Sequence, residues 1–505
     1  MTLNLKSQVL VVGAGPVGSY LGWKLAEAGC EILLLEARPL EGLGSHIEVI
    51  HLDQVRFDEF SIPHPQPPEL LHLVPTSKTW SVEGSDYVEL HYPVYVVNMP
   101  AYLQRLHGYI RAAGGKILEN ARVDGILLNK GFIKGVSGTM NGQSFEARAD
   151  ITVDASGMAG AVRTRLPDDF GIENTPVPPE QTFFCALELR DDLPPGLPTG
   201  NNSFLGAPGF WNRSYGEGAV LGLIAPGSAE AAWAAHRQWR EACYSDPGRL
   251  VGKRIGSAPY RRLPSSLVGD GFVAVGDCVY QNKAFSGEGI TSGYTACKIA
   301  AEVIPAALRR GDVSRTSLWE YNTRYFLGQG AKFASVMGFL FPVNNLPRPD
   351  VDYLYHAGII FSSHDYDYLN FNYELDLPPD RWAVICAQLE KGIRAEAFGF
   401  GWPNGALATD EMVKMYSRSR INLGFGGVAG LDDTYCLKGR DFEIPMSGGL
   451  YVTESCAELE KFFRPGEEVV TYGDFDDLVE KLRHLLSHPE EADRIRKAAI
   501  TVRAS

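Results

Sequence analysis

Gly13-Ala14-Gly15-Pro16-Val17-Gly18 stands between an apolar, β-branched run, Gln8–Val12, and a helical segment, Ser19–Ala28, closed by Gly29. A second apolar run, Glu31–Leu35, ends at Glu36. The order strand, GxGxxG, helix, strand, acid has a chemical logic. Gly13 permits a sharp turn, Gly15 lets backbone approach a pyrophosphate, and Gly18 lets helix and strand close up. The helix that opens at Pro16 offers unpaired N–H groups and its positive dipole end to the phosphates. Glu36 is placed to accept hydrogen bonds from ribose hydroxyls. An acid there leaves no room for a 2′-phosphate, so FAD or NAD is preferred over NADP.

Two later stretches repeat the strand-to-turn pattern. Ile151-Thr-Val-Asp-Ala-Ser-Gly157 runs into Met158–Arg165, with Asp154 and Gly157 at the turn. Gly271-Phe-Val-Ala-Val-Gly-Asp277 ends with Gly276 and Asp277, and Gly287-Glu288-Gly289-Ile290 then opens an apolar helix, Thr291–Ala307. Asp277 is either a cofactor contact or a helix N-cap. Cys278 beside it reads as a buried packing thiol. His46, His51 and His64 are placed in loops, each either a surface or hydrogen-bonded structural histidine or a candidate general acid.

The three motifs in this order resemble the FAD-dependent family of geranylgeranyl reductases, aromatic hydroxylases and flavin halogenases. That resemblance implies FAD as cofactor and a set of contacts. Gly13, Gly15, Pro16 and Gly18 would take the pyrophosphate, Glu36 the adenosine ribose, and Arg38 the adenosine edge. Gln104 would reach the pyrophosphate or ribityl chain, and the backbone of Val123 the adenine. Asp154 and Gly157 belong to the turn beside the pyrophosphate. Gly276 and Asp277 would meet the ribityl chain or pyrophosphate, with Gly287 in the turn beneath the isoalloxazine. Gly289 and Ile290 would present N–H groups to the flavin pyrimidine oxygen.

The turn GEGI is closer to the reductases of that family than to its hydroxylases. The halogenase GWxWxIP segment and the lipid reductases' YxWxFP segment have no match, and Asn98-Met99-Pro100 stands where the family commonly has an Arg. The resemblance implies reduction of a carbon–carbon double bond in an unidentified apolar substrate, with flavin hydroxylation as the alternative. The donor would be NAD(P)H bound transiently or a reduced carrier. No catalytic residue is assigned, because flavin redox chemistry needs no protein nucleophile.

These turns need an α/β frame to position them. The expected fold is α/β, an FAD-binding Rossmann-type domain with an antiparallel β substrate domain, followed by a second Rossmann-like α/β domain. The FAD-binding segments are about 1–75, 97–165 and 262–330, and the substrate sheet about 76–96 and 170–260. Phe183, Phe184, Phe204, Phe210, Trp211 and Tyr215 line a pocket or pack a core there. A Pro/Asn-rich linker ends the first part near 345, and 346–505 restarts an alternating strand–helix pattern.

Lys438–Ile495 resembles the C-terminal Rossmann half of GT-B glycosyltransferases of the CgeB-like, spore-maturation type. In that half an acid before a glycine turn holds a nucleotide ribose. Lys438, Arg440, Glu443 and Gly448 are the matching positions; Arg440 and Glu443 either hold a nucleotide sugar or form a structural ion pair. Gly424–Gly430 reads as a plain glycine turn.

The chain has 505 residues and a net charge of −14, which argues against nucleic acid as a partner. Residues 351–505 hold 16 Lys/Arg against 26 Asp/Glu, so most of the acidity lies in the last module. Eight scattered Cys, with no CxxC, argue against a metal site or a disulfide framework. No apolar run reaches the ~18 residues of a membrane span, and no leader precedes the first strand. A cytoplasmic enzyme acting on a small molecule is expected.

Overall fold

The computed structural model describes all residues except 1, 46–49, 206–208, 215–217, 244–247, 284, 345, 359, 361, 377–406, 425–426, 429–430, 436 and 502–505. His46, Tyr215 and the expected elements at 385–392 and 394–398 lie outside the described residues. The chain divides into two compact units, Met1–Val351 with Ser363–Asp376, and Asp352–Ser362 with Leu377–Ser505.

The first unit is built on a six-stranded sheet ordered Val268–Gly269, Phe272–Ala274, Ile151–Asp154, Val9–Val12, Ile32–Leu35, Lys116–Leu118. All neighbours are parallel except the first pair. Val9–Val12, Ile32–Leu35 and Ile151–Asp154 are buried at every position, as their unbroken apolar runs require when both faces are covered. The helix Pro16–Glu27 packs on this sheet and against the helices Met99–Ala112 and Ile290–Arg310. Proline opens it, where a missing N–H costs nothing. Gly29, at φ +82°, ends it in the left-handed conformation that glycine takes without strain.

A four-stranded sheet, Leu3–Lys6, Gln143–Arg148, Phe132–Met140, Ala121–Asn129, lies beside the frame. The substrate-side sheet has seven strands, Leu250–Pro259, Thr182–Arg190, Ala219–Pro226, Gly209–Ser214, Gly200–Phe204, Ser77–Trp80 and Tyr87–Leu90. It is antiparallel except where Gly200–Phe204 runs parallel to Ser77–Trp80, so the sheet is mixed rather than purely antiparallel. Val94–Val97 does not join it; that strand pairs with Ile50–Asp53 and Leu70–Val74. His51 is therefore in a strand, opposite Val96, and not in a loop. Its neighbours Ile50 and Leu52 are apolar, and cross-strand pairing with a valine-rich partner outweighs the local polar signal.

In the second unit, Asn422–Gly424, Tyr451–Glu454 and Val470–Tyr472 form a parallel sheet. The helices Thr409–Arg418, Gly439–Met446, Phe475–Ser487 and Pro489–Thr501 accompany it, as the alternating pattern predicts. Gly427–Val428 pairs antiparallel with Leu431–Tyr435, so the glycines after Gly424 lead into a hairpin and not into a phosphate-binding helix.

Candidate functional site

The three glycine-rich motifs leave the C-terminal ends of adjacent parallel strands, the position where open α/β sheets bind ligands. Val275 N–H donates to the Asp154 carbonyl and Gly13 N–H to the Leu35 carbonyl, so sheet pairing itself brings the turns together. Gly13, at φ +108°, is so close to its neighbours that a β-carbon would stand 2.5 Å from the Ala155 carbonyl oxygen. A β-carbon on Gly18 would stand 2.1 Å from the Gly13 oxygen. At Gly15 the space is open, with nothing within 4 Å. Gly15 is also the N-cap of the helix begun by Pro16, and no side chain caps it. A turn crowded at Gly13 and Gly18 but clear at Gly15 is what a phosphate cradle needs.

Glu36 is buried, its carboxylate accepting from Ala14 N–H at 3.0 Å and Arg38 N–H at 3.1 Å. The Arg38 guanidinium lies 3.6 Å from it, largely in solvent. Val123 lies in Ala121–Asn129, an edge strand whose outer side pairs with no strand among the described residues. Gln104 is exposed on the helix Met99–Ala112. One turn later His107 is buried, with Nε2 3.1 Å from both the Ala14 carbonyl and Ser19 Oγ. Burial pulls its pKa down, which keeps the brace neutral. Nothing in its sequence neighbourhood marks His107 as a support of the glycine turn.

Asp154 is fully buried, and its carboxylate accepts from Ser156 N–H and Oγ, Val162 N–H and Arg163 N–H. All four donors come from its own turn, so Asp154 shapes the loop containing Gly157 and presents no free carboxylate. Gly157, at φ +63°, faces open space.

Asp277 differs. Its carboxylate has no hydrogen-bond partner among the described residues, and desolvation alone pushes its pKa up to about 6. Gly276, just before it, donates its N–H to Gln281 Oε1 at 2.7 Å. Gln281 in turn donates to Tyr321 Oη, a buried support that the motif alone does not reveal. Gly289 is the N-cap of Ile290–Arg310, without a side-chain cap, so the first N–H groups of that helix, including that of Ile290, are uncapped. A β-carbon on Gly289 would stand 2.5 Å from Asp277 Oδ1. The loop from Lys283 to Gly289 closes on itself: Lys283 N–H donates to the Glu288 carbonyl and Gly287 N–H to the Lys283 carbonyl. Cys278 is buried, its thiol against the Asp154 and Val275 carbonyls and held well above the ordinary range by burial. It packs, as expected.

Behind this loop, Lys283 Nζ is 2.7 Å from Asp53 Oδ2 and 2.9 Å from Glu288 Oε2. Thr291 Oγ1 donates to the same Asp53 oxygen at 2.6 Å. Asn282 Nδ2 donates to the Pro259 carbonyl, which fastens the loop to the seven-stranded sheet. The face of that sheet bearing Phe183 and Cys185 is aromatic and cationic. Phe183 lies 4.2 Å from Tyr260 and the Arg213 guanidinium 4.2 Å over Trp211. Burial raises the Cys185 thiol to about 12. Burial, with Arg213 and Lys283 nearby, lowers His51 well below its usual value. Phe210 packs against Phe204 and Trp239, a core role.

In the second unit Lys438 caps the helix Gly439–Met446, its N–H donating to Asp441 Oδ2 at 2.5 Å. Arg440 and Glu443 make no ion pair with each other among the described residues. Both act electrostatically on Tyr416, and Gly448, at φ +76°, ends the helix.

Comparison with known proteins agrees with this architecture. Residues 63–303 match the FAD dependent oxidoreductase family, 11–74 the NAD(P)-binding Rossmann-like domain, and 381–505 the glycosyl transferase-like family. The chain is similar to digeranylgeranylglycerophospholipid reductase of Sulfolobus acidocaldarius, 23% identical over 375 residues, covering 69% of this chain and 80% of the relative. It is 26% identical over 368 residues to the enzyme of the same name from Methanothrix thermoacetophila, covering 70% of this chain and 91% of the relative. In structure it is similar to a geranylgeranyl bacteriochlorophyll reductase-like protein of Thermoplasma acidophilum. The TM-score is 0.60 at 16% identity, over 77% of this chain and 97% of the other. Among the described residues no helix is long and apolar enough to cross a membrane.

Proposed function

We propose that this chain, an FAD-dependent oxidoreductase followed by a glycosyltransferase-like domain, reduces a carbon–carbon double bond of an apolar, isoprenoid-type substrate. The observation that carries the reading is the convergence of the three turns at one sheet edge. There Gly15 is open, Asp277 has no hydrogen-bond partner among the described residues, and the Gly289 helix start is uncapped. Those features fit FAD. Gly13, Gly15, Pro16 and Gly18 would hold the pyrophosphate, with Glu36 at the adenosine ribose, Arg38 at the adenosine edge and Val123 backbone at the adenine. Gln104 and Asp277 would hold the pyrophosphate or ribityl chain, between the loops framed by Asp154, Gly157, Gly276 and Gly287. Bound FAD supplies two-electron redox chemistry. The Gly289 and Ile290 N–H groups would stabilise negative charge at the ring's pyrimidine end, and the Phe183–Tyr260 face would exclude water from the substrate side.

The relatives named as lipid reductases support reduction over hydroxylation. The donor we assign is NAD(P)H in transient contact, or a reduced carrier. Anaerobic turnover with a geranylgeranyl lipid and NADPH tests this by mass spectrometry. The expected product gains two hydrogens per double bond without oxygen uptake. Oxygen insertion, or NADPH consumption only in air, would make the chain a monooxygenase instead.

For the second unit we propose nucleotide-sugar binding at Lys438, Arg440, Glu443 and Gly448. That Arg440 and Glu443 make no ion pair with each other among the described residues favours this over a purely structural role, since the two side chains lie on one helix, Gly439–Met446, without pairing with each other.

A further inference from the structure

The seven-stranded sheet carries a second pocket, on the face away from the Phe183–Cys185 side. Alternate residues of Thr182–Arg190 point to opposite faces, so Phe184, Ala186, Glu188 and Arg190 share the face covered by the helix Ala229–Cys243. Phe184 and Ala186 pack there with Ala232, Trp233 and Trp239. Beyond this apolar patch lies a cavity of about 230 Å³ lined by Glu188, Trp233, His236, Arg237, Arg240 and Lys253. Its floor is deep: Glu188 is 2% exposed and His236 fully buried.

The charges there do not balance. Among the lining residues Glu188 is the single carboxylate, facing Arg190, Arg237, Arg240 and Lys253; outside the lining, Glu241 lies 3.5 Å from Arg240. Arg190 touches its Oε2 closely. Arg240 and Lys253 stand 3.7 and 3.8 Å from Oε1, too far for hydrogen bonds, and Arg237 has no carboxylate partner among the described residues. Glu188 Oε1 thus accepts no hydrogen bond among the described residues. His236 Nε2 lies 3.1 Å from the Leu221 carbonyl, which can only accept, so this nitrogen carries the ring proton. Burial lowers the His236 pKa and keeps the ring neutral. Its Nδ1 is then a lone pair, buried and without a partner among the described residues, and Arg190 Nε is a buried donor likewise without one.

A ligand completing this site must bring negative charge for the cations and a hydrogen-bond donor for the two empty acceptors. Hydrogenphosphate has both, as oxygens and one O–H. Sulfate has the same shape but no proton near neutral pH, and would set lone pairs against Glu188 and His236. The volume equals about eight waters at ~30 Å³ each, room for phosphate and a small substituent.

We propose that this pocket binds a hydrogenphosphate group, its oxygens on Arg237, Arg240 and Lys253 and its O–H turned to the Glu188–His236 floor. The group is either free inorganic phosphate or the end of a phosphomonoester held as its monoanion, the form that keeps one P–O–H. The site is independent of the redox reading, since it lies on the opposite face of the sheet.

Calorimetry on the full-length, FAD-loaded protein tests it, with inorganic phosphate, glycerol phosphate and sulfate titrated at ionic strength held constant with KCl. Phosphate is expected to bind saturably and at least about tenfold more tightly than sulfate, and Arg240→Gln to weaken it at least about tenfold. Lys414→Gln, on an exposed helix of the other unit, should leave it unchanged. Tighter glycerol phosphate assigns the site to phosphomonoesters, and tighter inorganic phosphate to the free ion. Should Arg240→Gln not fold, Lys253→Gln at the exposed rim takes its place. No saturable phosphate heat, equal affinity for sulfate, or unchanged binding in the folded variant would overturn the proposal.

Discussion

Lys283 and Asp53 form an ion pair at 2.7 Å with both side chains shut off from solvent. The pair joins the last glycine-rich loop to the strand Ile50–Asp53. Burial alone would pull the lysine pKa down, but Asp53 and Glu288 hold it well above its ordinary value. Tyr373 Oη, from the segment 363–376, also lies 3.4 Å from the Asp53 carboxylate.

Removing one partner leaves the other charge buried without compensation. Lys283→Met is therefore expected to cost about 3–5 kcal/mol of stability. Adding Asp53→Leu should recover a large part of that loss. Urea unfolding of the two variants checks this; a double variant less stable than Lys283→Met would mean the pair is not the unit that matters.

Gly15→Ala and Gly18→Ala should separate folding from cofactor retention. The Gly18 β-carbon collides with the Gly13 backbone, so Gly18→Ala should lower the Tm of the flavin-free protein by more than about 4 °C. The Gly15 β-carbon meets nothing of this chain. Gly15→Ala should keep the flavin-free Tm and lose flavin on gel filtration, read by absorbance near the flavin band.

Asp277 predicts a pH dependence. Its folded pKa of about 6 lies above the ordinary aspartate value of 3.8, so between those values the folded state holds the extra proton. Stability from this group is fully present below 3.8 and is lost as pH rises through about 6. The flavin-free protein should thus lose Tm over that window, and Asp277→Asn should flatten the slope. An unchanged slope in the variant would show that another group titrates there.

Glu443→Ala tests the second unit. Calorimetric titration of the full chain with a UDP- or GDP-sugar should give saturable heat that the variant loses. Equal heats in both proteins would remove Glu443 from any nucleotide site.

The glycine turns were legible because their chemistry is local. Gly13, Gly15 and Gly18, the flanking strands and Glu36 stand in one run of residues, and each type has a steric or hydrogen-bonding reason at its place. The same holds for the helix start at Gly289 and for the alternating elements after residue 406. His51 is not legible as a strand residue because its strand exists only through pairing with Val94–Val97. Asp154 reads as a ligand contact in the motif, yet the turn after it consumes its carboxylate.

Sequence by itself determined the type of fold, the dinucleotide turns and the presence of a second α/β module, since apolar period, turn residues and spacing are written along the chain. Only tertiary structure decided which charges meet. Lys283 with Asp53, His107 with Ala14, and Arg56 with the Asn370 and Phe371 carbonyls are partners distant in sequence. Burial makes such pairings costly to leave unmade, but which partner satisfies each group is set by packing, and no local pattern encodes it. The cation cluster over Glu188 follows the same rule: its residues come from two strands and a helix, and none is conspicuous until the sheet and helix enclose them.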